Sequence, residues 1–239
     1  MNSAFDMQTL TDTLNWSYRI EIDRAYIITI KGNEISESMA RRCLDSCNRI
    51  GQQAEIFQAF DGTEKLNREI IVPDHAVGKT WLSWVKLLNF TLSKAEICCF
   101  LSHFSLWCKC IEQDQPLVIL EHDAVMLQRF NEHPAINSIV YLGSNEMVAS
   151  NVCYPFIPPQ AQLCHNYRHI LRTHAYSIDP QVAKNLVSKA IERGIYTAVD
   201  VFMNINRFSI TSFGIFAQDI PGETTIPSSD ILNNVHRKF

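Results

Sequence analysis

Glu121, His122 and Asp123 end the apolar run of "LVILEHDAVM" (residues 117–126), and their types and spacing suggest chemistry. Side chains alternate along a strand, so Glu121 and Asp123 share one face while His122 points to the other. Two carboxylates at the end of a buried strand are costly unless a cation offsets them. A hard divalent ion, Mn²⁺ or Mg²⁺, already carrying a diphosphate would suit them. The competing reading is an exposed acidic turn after a buried strand. In open α/β sheets ligands bind beyond the carboxyl ends of the strands, where these acids would stand.

Other side chains have two readings each. Asp200 lies in "YTAVDVFMN", an acid inside an apolar stretch. It is either a helix cap or paired core acid, or a general base or an acceptor-side group placed near one, with Tyr196 as a neighbour; Glu146 and Asp219 are next in line for the base. His174 in "THAY" is a core histidine or a contact to a diphosphate or its metal. Asp61 either ends a strand or accepts a hydrogen bond from a nucleoside. Ser102 and His103 read as fasteners of a helix to the sheet, and Arg41 and Arg42 as a solvated helix face. Cysteines 98, 99, 108 and 110 flank His103, which invites a zinc reading. In a helix over 93–112, Cys99 and Cys110 would lie roughly 16 Å apart along the axis. Zinc–thiolate bonds are about 2.3 Å, so those two thiols cannot share an ion. The eight cysteines contain no CxxC pair and read as reduced, small, buried side chains.

The elements that must position these residues follow from periodicity. "AYIITI" (25–30) is a buried strand closed by Lys31-Gly32-Asn33. "SESMARRCLDSCNRIG" has a helical stripe of Met39, Cys43, Leu44, Cys47 and Ile50, with Ser36 as its candidate cap and Gly51 as its end. "AEIFQAFDG" returns as a strand, which completes a βαβ unit. Residues 63–92 read as a connection. Ser93 and Glu96 form a capping box for a helix with Ile97, Phe100, Leu101, Phe104, Trp107, Cys108 and Ile111 at helical spacing. "LVILEHD" and "SIVYLGS" (138–144) are the next strands, and 145–167 reads as a loop. "HILRTHAYSI" is a strand, and "DPQVAKNLVSKAIERG" a helix with Asp179 at its cap and Pro180 first in it. "FSITSFGIFAQ" is the last strand. This alternation predicts one α/β domain with a mostly parallel, Rossmann-like sheet.

The chain has 239 residues, 46% apolar and 19% charged, with a net charge of −4. That balance argues against bulk-charge attachment to nucleic acid or membrane. No signal pattern opens the sequence and no window approaches a membrane span, so the expectation is a cytoplasmic protein.

"LSKAEICCFLSHFSLW" followed by "ILEHDAVM" resembles the signature of glycosyltransferase family 25. That family's pattern is Leu-Ser-x-Gly-Glu-x-x-Cys-x-x-Ser-His, a Trp four residues on, then Leu-Glu-Asp-Asp. "YIITI", "FQAFDG", "THAYSIDPQVAKNL", "AVDVFM" and the late "PSSDI" are similar to further family blocks, in order, across residues 25–231. His122 stands where the family has the middle Asp, and Ala95 where it has Gly. The resemblance implies a GT-A-like domain over 25–232, between an extension (1–24) and a tail (233–239). It also implies transfer of a hexose, galactose or glucose, from a UDP-sugar with inversion and with Mn²⁺ or Mg²⁺.

The implied acceptor is a hydroxyl, such as that of a cell-surface glycan, and peripheral contact with the inner membrane would fit. Under the resemblance Glu121 and Asp123 take the metal-and-ribose role, with Asp123 the direct ligand. The donor-binding set is Thr29, Asp61, Glu121, Asp123 and His174, and Asp200 is the catalytic base. Two alternatives stay open: a sugar transferase acting on modified DNA bases, and a scaffold with a degenerate site.

Overall fold

The computed structural model describes residues 19–22, 24–61, 76–88, 92–134, 137–143, 162–163, 173–204 and 207–220. A short strand, β1 (Arg19–Glu21), leads into β2 (Ala25–Thr29), which is buried at all five positions. Gly32 turns the chain at φ 77°, and helix α1 (Glu34–Arg49) follows. Its cap is Asn33, whose side chain accepts from the Ser36 N–H, so Ser36 is not the cap expected from sequence. The Ser36 hydroxyl is drawn elsewhere, accepting from the Ile30 N–H at 2.9 Å. Strand β3 (Ala54–Gln58) then pairs parallel with β2, completing the expected βαβ unit.

A one-turn helix, α2 (Lys79–Leu82), precedes α3 (Lys94–Gln113), which starts on the Ser93/Glu96 capping box. Strands β4 (Leu117–Glu121), β5 (Ala124–Met126), β6 (Glu132–Pro134), β7 (Ile139–Gly143) and β8 (Gln162–Leu163) come next. They are followed by β9 (Ala175–Ile178), α4 (Pro180–Arg193), α5 (Val199–Phe202) and β10 (Ile210–Asp219). Asp179 caps α4 by accepting from the Val182 N–H, with Pro180 first in the helix, as expected.

The main sheet runs β3-β2-β4-β9-β7-β10-β5, with β8 also on β10. Strands β3, β2, β4, β7 and β10 share one direction. β9 is inserted against them, and β5 runs antiparallel along β10. The sheet is therefore mixed: most strands agree in direction, but β9 breaks the parallel pairing at its centre. The chain leaves β4 through Glu121-His122-Asp123 and joins β10 three strands away, which curls the sheet.

Alternation along the strands divides the core. Tyr26, Ile28, Leu117, Ile119, Tyr141, Tyr176 and Ile178 face α3 and α4. Ala25, Ile27, Val118, Leu120, Val140, Leu142 and Ala175 face the other way, with Ala40, Cys43 and Cys47 of α1. Trp107, Phe100, Phe104 and Phe202 are fully buried, and burying such a side chain contributes on the order of 1.5–3 kcal/mol. The six cysteines among the described residues are unbridged, five buried and Cys99 half-buried, as the sequence reading expects. No described helix is long and apolar enough to cross a membrane.

Candidate functional site

The carboxyl edge of the sheet collects most of the residues singled out from sequence. Thr29 ends β2, Glu121 ends β4, and Asp61 lies just past the end of β3. Because β9 runs antiparallel, its first residues reach the same edge, where the Glu121 N–H donates to the His174 carbonyl at 2.9 Å. Gly143 ends β7 there, and a Cβ on it would fall 1.8 Å from His174 Nε2. The glycine is thus required for the close approach of the imidazole, not for its backbone angles. Thr29 is buried and its hydroxyl donates to the Ile27 carbonyl at 3.2 Å, so in this structure it serves its own strand. His174 is 3% exposed, which makes it a wall of the site rather than an open surface.

Glu121 and His122 turn to opposite sides as expected, but β4 ends at Glu121 and residues 122–123 form a turn, so strand alternation does not place Asp123 on the Glu121 face. Glu121 turns toward α3, where His103 Nε2 lies 3.3 Å from its Oε1 and the Thr173 hydroxyl donates to the same oxygen. His122 turns toward α1, with Nδ1 3.3 Å from the Ser36 hydroxyl. Burial works to raise the Glu121 pKa, but the hydrogen bonds from His103 and Thr173 overcome it and hold the carboxyl well below the usual carboxylate range. Burial lowers the His122 pKa against the opposing pull of Glu121. His122 therefore presents a neutral ring at neutral pH in the place of an acid.

Asp200 joins this group through packing on α3. Gly194 ends α4, and α5 docks its Phe202 ring 5.0 Å from Phe100 and 6.0 Å from Trp107. Asp200, in the first turn of α5, accepts from the Val201 N–H at 2.8 Å and stays half-buried. Beside Glu121 lies Cys99, whose Sγ is within 4.8 Å of the Glu121 carboxylate. Its thiol is pushed well above the ordinary range by burial, then by the negative charges of Glu121, Asp200 and Asp123. Asp219 also comes close, because its Cα pairs with Ala124, one residue past Asp123. Glu146 lies outside the described residues.

Ser102 and His103 fasten α3 as expected: the Ser102 hydroxyl accepts from the Phe60 N–H at 3.0 Å, and His103 reaches Tyr176 on β9. Sequence reasoning missed Thr173 and Gly143, and it read Cys99 only as a small buried side chain. Cys99 and His103 stand four residues apart on one helix face, and that spacing was a usable signal. Their ligand atoms and that of Glu121 all lie within 4.8 Å of one another. A cavity lined by Arg24, Tyr26, Gln113, Gln115, Pro116 and Leu117 sits at the opposite, amino edge, away from the acids.

The fold and the site define an α/β protein with acids gathered beyond the carboxyl ends of its strands, the edge at which open α/β sheets bind ligands. Residues 23–203 match the family model described as glycosyltransferase family 25 (LPS biosynthesis protein), and the chain belongs to that family. The matched span contains Thr29, Asp61, Glu121, Asp123, His174 and Asp200. Membership makes the protein a glycosyltransferase, with a sugar donor and a glycan acceptor as substrates. No curated protein matches the chain.

Proposed function

We propose that the protein moves a hexose, galactose or glucose, from a UDP-sugar to a hydroxyl of a cell-surface glycan, with inversion and with Mn²⁺ or Mg²⁺. The observation that carries this reading is the gathering of acids at the carboxyl edge: Glu121 ends β4, Asp123 stands two residues on, and Asp219 pairs with Ala124 beside it. Three oxygen donors of one sign suit a hard divalent cation and oppose a bare diphosphate. Asp123 and Glu121 would hold the ion, which when bound supplies Lewis-acid stabilisation of charge on the departing diphosphate. Asp200 takes the proton of the acceptor hydroxyl, whose oxygen attacks the anomeric carbon as the bond to UDP breaks. The released electron pair stays on the β-phosphate oxygen of UDP.

Calorimetry tests the donor reading. UDP should bind with Mn²⁺ present and far more weakly with a chelator. Asp123→Asn should keep the fold, because Leu117 to Leu120 anchor β4, while losing the metal dependence. Equal UDP affinity with and without metal would contradict the assignment, as would an unfolded Asp123→Asn. A screen of UDP-sugars for Mn²⁺-dependent hydrolysis then identifies the sugar.

A further inference from the structure

Glu121 is held by a chain of hydrogen bonds whose direction can be worked out atom by atom. The Trp107 indole N–H can only donate, and it lies 2.9 Å from the Tyr176 hydroxyl oxygen. That oxygen therefore accepts, and the phenol must give its own proton to something else. Tyr176 is fully buried, and its other hydrogen-bond partner is His103 Nδ1 at 2.8 Å. Nδ1 is therefore the ring nitrogen without a hydrogen, and the hydrogen of His103 sits on Nε2. Nε2 points at Glu121 Oε1, 3.3 Å away. Thr173 donates to that same oxygen, and no described group donates to Oε2. The Glu121 side chain is 25% exposed, against 0% for His103.

We propose that His103 is a positioning residue: Trp107, Tyr176 and His103 form a one-way line of donors that locks Oε1 of Glu121 and leaves Oε2 as its single ligand-facing oxygen. The role given to Oε2 rests on the reading of Glu121 as a donor-substrate contact; the direction of the line does not. One consequence concerns Cys99, His103 and Glu121, whose spacing would suit a zinc ion. Coordination needs the Nε2 lone pair, and the line of donors places a hydrogen there. Moving that hydrogen to Nδ1 would strand the buried Tyr176 proton without an acceptor. The cluster is therefore a hydrogen-bonded support and not a metal centre.

Long-range proton–nitrogen NMR on protein labelled with ¹⁵N-histidine reads the direction of the line. The His103 signals are those lost in His103→Gln. A protonated Nε2 and an unprotonated Nδ1 are expected, and a hydrogen on Nδ1 would overturn the proposal. Tyr176→Phe, which leaves the ring in place, removes the donor to Nδ1 while Glu121 still accepts from Nε2, so the Nε2–H form should persist with a shifted Nδ1 resonance; an unchanged Nδ1 resonance would show that Tyr176 does not give its proton to His103. Cobalt titration should give no thiolate charge-transfer band, and a band lost in Cys99→Ser would also count against the proposal.

Kinetics read the positioning role. His103→Leu should raise KM for the UDP-sugar about tenfold, the size of one charge-assisted hydrogen bond, with kcat little changed. His103→Gln, which keeps an N–H donor, should recover most of the loss. An unaltered KM in a folded His103→Leu would end the positioning claim. Absence of UDP-sugar turnover in the wild type would instead reject the donor reading, leaving NMR to judge the line of donors.

Discussion

Two fully buried histidines flank β9, and each sits between a hydroxyl and a carboxylate. At the carboxyl edge His103 bridges Tyr176 and Glu121; at the amino edge His133 lies 2.9 Å from the Ser177 hydroxyl and 3.7 Å from Asp179. Tyr176 and Ser177 are consecutive, so the strand's alternation sends one hydroxyl to each face of the sheet. The same three group types nevertheless arrange their hydrogens in opposite ways. Tyr176 gives its proton to His103, which then donates to a carboxylate. Ser177 gives its proton to the Leu117 carbonyl at 3.1 Å, so His133 must donate to Ser177 through Nδ1. That leaves the Nε2 lone pair of His133 facing Asp179 beyond hydrogen-bond reach.

The carboxylates differ as well. Asp179 is 5% exposed, and one of its oxygens is committed to capping α4. Glu121 is partly open and keeps one oxygen free of donors among the described residues. A histidine, a hydroxyl and an acid in contact thus do not make a site. The acid needs an oxygen left over and a path to solvent.

If this contrast is correct, variants at the carboxyl edge should act on rate and those at the amino edge on stability. The largest effect belongs to Asp200→Asn. It should bind UDP and metal normally and transfer sugar at least ~100-fold more slowly, because a general base contributes about 10²–10⁴. Near-normal transfer in single-turnover assays would move the base to Asp219, which the curl of the sheet brings beside Asp123.

Gly143→Ala should affect both properties. Its Cβ would overlap the His174 ring, and overpacking of this kind costs roughly 1–3 kcal/mol. Displacing residues 173 and 174 also disturbs two contacts to Glu121, so a denaturation midpoint and a UDP affinity measured together should both fall. A drop in stability with unchanged affinity would separate the wall from the site.

Asp179→Ala removes the cap of α4 and should cost about 1 kcal/mol in urea denaturation, with kcat per folded molecule unaltered. A loss of kcat here would erase the contrast between the two edges.

The smallest effect is one of pH. Burial holds the His133 pKa down to about 4, against the opposing pull of Asp179. The unfolded histidine takes up its proton near pH 6.5. Between about 6.5 and 4 the unfolded state therefore binds more protons, and stability falls as pH falls through that window. Above pH 6.5 the contribution is fully present. His133→Gln should lose less stability between pH 7 and pH 5 than the wild type does; an equal loss would assign the acid sensitivity to other groups, His122 first among them.

Much of the candidate site was legible because its cues are local. The opposed directions of Glu121 and His122 follow from strand alternation, and the ordered motif around Ser102, His103 and Trp107 carried the family resemblance. Ser36 was misread because its hydroxyl is claimed by Ile30 and His122, the latter 86 residues away. Thr173 was missed because a threonine before a strand has no local signature until the strand lies beside Glu121.

Periodicity, caps and glycine turns determined β2, α1, α3, β4 and α4, since each depends on hydrogen bonds and side-chain spacing within a few residues. The place of β9, antiparallel between β4 and β7, was decided only in three dimensions, as was the pairing of β5 with β10. Strand order depends on which apolar faces meet across the whole chain, and no short window records that. The direction of the hydrogens on His103 and His133 was settled in the same way, by partners about 40 to 70 residues distant.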